Sequence, residues 1–212
     1  MVPVRLVPAA LMAVMLVACS TTGGSIGNLI PAPKLLKGEI RNDVYYAPNG
    51  VLSVAVPFAK GTYEYTYLQI KEEFNATTEL IVFGPAAYDQ GIYRVQLIER
   101  RDGLDTPDAF KADAPDIMRG AREMVQKDGR APLEELGKDE DPVNGHPALH
   151  EHVTQHVPAG VLSNRPQLLT YDLYVIQFGS KVAIAGVMRP EKSYADPPAI
   201  SVAAFVQSVQ VP

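Results

Sequence analysis

The sequence holds a single cysteine, Cys19, and no tryptophan in 212 residues. One thiol excludes an intramolecular disulfide, so packing alone must hold the core, even in an oxidising compartment. Basic residues are also sparse: 19 Lys and Arg stand against 24 Asp and Glu, giving a formal net charge of −5, and they form no stripe. Nucleic-acid affinity needs a concentrated positive surface that releases counterions, so no nucleic-acid partner is expected. Long apolar runs are missing too. The uncharged segment "LVPAALMAVMLVA", residues 6–18, would rise only about 20 Å as a helix, short of the roughly 30 Å hydrocarbon core. A permanent transmembrane span is therefore not expected. What is abundant is turn chemistry, with 18 prolines and 16 glycines in a chain long enough for one ordinary domain.

The apolar run follows Arg5 and ends in "LVAC", residues 16–19, with the solitary thiol at its last position. A positive start and a short apolar core have the form of a secretory signal. The four residues resemble the lipobox of bacterial lipoproteins, which implies cleavage before Cys19 and lipidation of that residue with acyl chains such as palmitate. Ser20 in the next position resembles outer-membrane sorting, facing the periplasm. Residues 1–18 are thus read as a lipoprotein signal peptide and residues 19–38 as a flexible tether of small residues, Gly and Pro. A single α+β domain is expected over residues 39–212.

Within that domain, hydrophobic periodicity gives a coarse order of elements. Pro48-Asn49-Gly50 marks a turn between two short apolar runs, the second alternating at Leu52, Val54 and Val56. "TYEYTYLQI", "ELIVF" and "GIYRVQLIE" have the period of strands. A helix is expected to open at Asp113 or Pro115, to present Ile117, Ala121, Met124 and Val125, and to close at Gly129. "APLEELGKDEDPVNG" is acidic and broken by Gly and Pro, which suits a solvated connection. "ALHEHVTQHV", "YDLYVIQF" and "KVAIAGVM" read as three further strands, the last two joined at Gly179-Ser180. A closing helix is expected with Asp196 as N-cap, Pro197 in its first turn, and Val202, Phe205, Val206 and Val209 on one face.

That order, an early strand ending "VLSVAVP", a middle helix, "NGHPALHEHV", a late hairpin "LYVIQFGSKVAIAGV" and a closing "FVQSV", resembles the PsbP-like family over residues 39–210. The resemblance implies a central antiparallel β-sheet flanked by helices, a PsbP-like sandwich, and a non-enzymatic binding or assembly role. The aromatic near the strand-ending Pro57 is Phe58, directly adjacent to it, and no Trp stands anywhere in the chain.

Few motifs carry chemistry. Gly23-Gly24-Ser25-Ile26-Gly27 matches G-x-S-x-G, but it lies in the tether without a strand before it or a helix after it, so the nucleophile elbow is excluded. Pro142 and Val143 break the alternate-oxygen spacing that would make Asp139, Glu140 and Asp141 a calcium loop. All four histidines, His146, His150, His152 and His156, occupy even positions of one strand-like segment and would share one face. Side chains two apart lie about 6.6 Å apart along a strand, so His150 and His152 could converge on one metal, whereas His146 and His156 are too distant. A zinc site would need further ligands from a neighbouring strand. The alternative is a polar face backed by Leu149, Val153 and Val157. The expectation is a lipid-anchored envelope protein, attached to the membrane through Cys19, that binds an envelope protein partner, uses no cofactor and is not an enzyme. The runner-up is a metal-binding protein or metal-dependent enzyme built on His150 and His152.

Overall fold

The computed structural model describes residues 37–212, except 72–76, 86–90, 100–105, 130, 160, 162–163 and 192–197. Cys19, the tether and the G-x-S-x-G string lie outside the described residues. Among the described residues no helix is long and apolar enough to cross a membrane.

Glu39–Arg41 (β1), Val44–Tyr46 (β2) and Ser53–Ala55 (β3) form a small antiparallel sheet. Asn42 and Asp43, at φ 50° and 58°, make the β1–β2 turn, because both side chains tolerate the left-handed region that a tight hairpin demands. The turn foreseen at Pro48–Gly50 joins β2 to β3.

A larger sheet contains Tyr63–Lys71 (β4), Thr77–Pro85 (β5), Ile92–Glu99 (β6), Leu133–Asp139 (β7), Ala148–Val157 (β8), Gln167–Phe178 (β9) and Lys181–Pro190 (β10). Its order is β4-β5-β6-β10-β9-β8-β7, with every neighbouring pair antiparallel. Two meanders therefore meet at β6 and β10. Between them runs the helix Pro107–Gly129 (α1), and a short helix, Val202–Gln207 (α2), nears the C-terminus.

Strand alternation sends side chains to two separate cores. On one face Leu149, Val153, Leu169, Tyr171, Leu173 and Val175 pack under Phe110, Ala114, Met118 and Val125 of α1. On the other, Tyr67, Ile81, Phe83, Tyr93, Val95 and Ile176 pack against Tyr45 and Val54 of the small sheet and Phe205 of α2. The fold is thus α+β as expected, but one face is covered chiefly by a second sheet and only a short helix.

Three expectations are corrected. First, α1 begins at Pro107, so Pro115 lies inside it rather than opening it. Thr106 Oγ1 accepts the Ala109 N–H at 3.2 Å, and the buried stripe at Phe110, Ala114, Met118, Ala121 and Val125 offsets the hydrogen bond that an internal proline cannot donate. Second, Leu133–Asp139 is an edge strand, not a connection; its residues are solvated, as expected, yet its backbone pairs with β8. Third, Ser201 rather than Asp196 caps α2, accepting the Ala204 N–H at 3.1 Å, while Asp196 and Pro197 lie outside the described residues. Val209 is buried beyond the end of that helix.

Candidate functional site

β8 alternates as its sequence requires. Leu149, Val153 and Val157 point under α1, and the even-numbered side chains point the other way. Of the four histidines, His150 and His152 are brought together, His156 stands exposed, and His146 packs its ring against Phe178 with centroids 4.4 Å apart. The pair that spacing singles out is the pair that meets a common partner.

That partner is Asp172 of β9, directly opposite His152 in the ladder. Its Oδ1 lies 2.8 Å from His152 Nδ1 and 3.4 Å from His150 Nε2, and its Oδ2 accepts from Arg189 of β10 at 2.8 Å. The other ring nitrogen of His150, Nδ1, is 3.0 Å from Asp139 Oδ2 on β7. Tyr174 stacks on the His150 ring, with centroids 4.1 Å apart and planes 8° from parallel. Four adjacent strands thus contribute to one row, β7 to β10. Asp172 is almost buried, with its side chain 10% exposed, while Arg189 at 41% and His152 at 32% reach solvent.

The electrostatics follow from this geometry. Burial alone would raise the Asp172 carboxyl, but hydrogen bonds from His150 and His152 and the charge of Arg189 prevail and hold it at about 2. Burial alone would lower His150; its hydrogen bonds to Asp172 and Asp139 outweigh that and raise it. With a carboxylate oxygen facing each ring nitrogen, only the imidazolium can donate on both sides. Tyr174 is pushed up to about 12, first by burial and then by the negative charges of Asp172 and Asp139.

A second ionic group lies on the opposite face of the same strands. Glu151, its side chain 4% exposed in the row that also holds Leu149, Val153 and Val157, is 3.1 Å from both Arg122 of α1 and Lys138 of β7. Arg122 also reaches Glu135 of β7 at 3.0 Å.

The sequence reading missed Asp139, Asp172, Tyr174 and Arg189. Asp139 stood in a segment read as loop, and Asp172 and Arg189 join the histidines only through strand pairing across β9 and β10. The one local signal was Asp172 interrupting the apolar run "YDLYVIQF", where a buried carboxylate demands a partner. Chemically, the group offers imidazole and guanidinium donors around a fixed carboxylate. Among the described residues no three His, Cys, Asp or Glu side chains are set to hold a metal ion.

No protein-family model matches the chain, and no curated protein matches it. Among solved structures, a protein from Bacteroides thetaiotaomicron is 9% identical, with a TM-score of 0.42 over 82% of this chain, which spans about half (49%) of the length of that one. The cyanobacterial PsbP protein CyanoP of Synechocystis sp. is 13% identical, with a TM-score of 0.49 over 89% of this chain and 98% of its own. The Ran-binding protein Mog1p of Saccharomyces cerevisiae is 15% identical, with a TM-score of 0.45 over 82% of this chain and 96% of its own.

Proposed function

We propose that this protein is a non-enzymatic binding module of the bacterial cell envelope, anchored through lipid on Cys19 to the outer membrane on its periplasmic side, with a protein partner docking on the Asp172 face. The observation that carries the docking face is the row Asp139, His150, Asp172 and Arg189. A part-buried ionic group must first offset its own desolvation, which an apolar row need not, so its presence toward the open edge of a sheet suits recognition better than scaffolding. Arg189 holds Asp172 while its side chain stays 41% exposed, so a partner can reach it. The anchor is supported by the apolar run that ends on "LVAC"; several acyl chains together bind firmly, each buried CH₂ contributing about 0.8 kcal/mol.

Two measurements test this reading. Cys19→Ala is expected to move the protein from the membrane fraction to the soluble fraction or to leave it unprocessed; wild-type protein recovered soluble and without lipid would refute the anchor. A photo-crosslinking residue at His156, exposed on the histidine face, is expected to give one discrete adduct in intact cells, whereas the same residue at Lys111 on α1 gives none. Equal labelling from both positions would remove the docking face.

Metal binding through His150 and His152 is the alternative reading; it would require both rings to give up their hydrogen bonds to Asp172. About one zinc per purified chain, lost when both histidines become alanine, would decide for it. Substoichiometric metal would decide for the first reading.

A further inference from the structure

The outer edge of the larger sheet on the α1 side is fastened in an unusual way. Strands hold to a sheet mainly through a buried row of alternate side chains, but in β7 only Leu133 is even half-buried, and Leu136 is 59% exposed. The pairing is also irregular, with the register shifting between Glu135 and Gly137. A bulge and charged side chains keep foreign strands from adding to an edge, yet the same features deprive the strand of apolar grip.

Apart from the backbone ladder to β8, what remains is ionic and comes from both faces. Under α1, Arg122 joins Glu135 at 3.0 Å and Glu151 at 3.1 Å, and Lys138 joins Glu151 at 3.1 Å. On the other face, Asp139 meets His150 at 3.0 Å. Just beyond the strand, Lys111 of α1 lies 3.8 Å from Glu140. Most of these groups are open to solvent: Lys138 is 41% exposed, Glu135 48% and Asp139 48%. Such pairs weaken as salt screens them, whereas the apolar contacts of β8, β9 and β10 do not.

We propose that β7 is a detachable strap, held across the edge of β8 by ion pairs rather than by apolar burial, and that its release removes Asp139 from His150 and opens the side of the candidate site. The unit that moves is Leu133–Asp139. It opens while the rest of the sheet stays folded, and ionic strength sets how often. This device does not depend on the identity of any partner, and it can fail while the docking face stands.

Hydrogen exchange on the full chain tests it. Raising sodium chloride from about 0.05 M to about 1 M is expected to increase opening at the β7 amides bonded to β8 by roughly fivefold to tenfold, with the amides of β9 and β10 unchanged. Lys138→Met, which keeps the aliphatic stem and removes the charge, is expected to raise opening at low salt and to flatten the salt response. If β7 amides exchange only with global unfolding, at the rate of those in β9, or if their opening ignores salt, the strap is refuted. Should the variant fold poorly, the wild-type salt series decides alone.

Discussion

Phe205→Ala is expected to destabilise the domain by about 3 to 5 kcal/mol, the usual cost of removing a fully enclosed aromatic ring. Phe205 is 0% exposed, with its ring edge-on to Tyr93 at 5.0 Å and to Phe83 at 6.4 Å, so it joins α2 to β5 and β6. α2 has only six residues, too few to be helical in isolation, and its structure therefore depends on that burial. The C-terminal segment continues the same attachment: Ser208 Oγ accepts the Ala55 N–H at 2.8 Å, and Ser53 and Gln210 exchange backbone hydrogen bonds at 2.9 Å. Loss of the ring should loosen all of these together. Urea unfolding followed by circular dichroism measures the effect, and a change under about 1 kcal/mol would remove α2 from the core.

Asp172→Asn is expected to cost about 2 to 3 kcal/mol at neutral pH, less than the cost of breaking a fully enclosed pair because Arg189 and His152 reach water. The amide cannot accept on both sides as the carboxylate does, and it leaves Arg189 and His150 without the charge between them. The pH dependence gives a sharper signature. The folded Asp172 carboxyl sits at about 2, below its unfolded value of about 3.9, so its stabilisation is present above that unfolded value and is lost as pH falls toward 2. His150 has the opposite sign: its folded value is raised, so its stabilisation is complete below about pH 6.5 and is lost as pH rises through the raised value. The unfolding midpoint of the wild type should fall at both ends. The variant should lose the acidic limb attributable to Asp172 and keep only a reduced alkaline one, since Asp139 still faces His150. Identical pH profiles for wild type and variant would show that the cluster contributes nothing to folding.

Several elements could be read before any coordinates. β8 runs from Ala148 to Val157, the same ten residues that alternation marked, because one face of that strand is buried and the other polar. The β9–β10 hairpin turns at Gly179, φ 60°, where a residue without Cβ takes the left-handed region at no steric cost. β7 was not legible. "LEELGKD" has no apolar alternation, since neither of its faces is covered, and only the waiting backbone groups of β8 make it a strand. The start of α1 was hidden for another reason: Pro115 reads as a helix opening, and only the sheet beneath Phe110 and Ala114 makes an internal proline tolerable.

The candidate site divides in the same way. The sequence by itself determined that His150, His152 and His156 share one face of β8 and that His150 and His152 are close enough to act together, because strand geometry has a period of two; His146, expected on the same face, precedes the strand in a bridge with Val143. It also determined the acidic balance and the lone thiol at the end of a short apolar run. Only the tertiary structure decided what the histidines meet. Asp172 is twenty residues from His152 and Asp139 eleven from His150 along the chain, and Arg189 lies on yet another strand. No local pattern encodes such neighbours, because cross-strand register is set by the summed fit of two cores on opposite faces of the sheet. Burial then turned four ordinary polar residues into one group: away from water, a carboxylate must find hydrogen-bond donors, and strand pairing had placed Arg189, His150 and His152 within its reach.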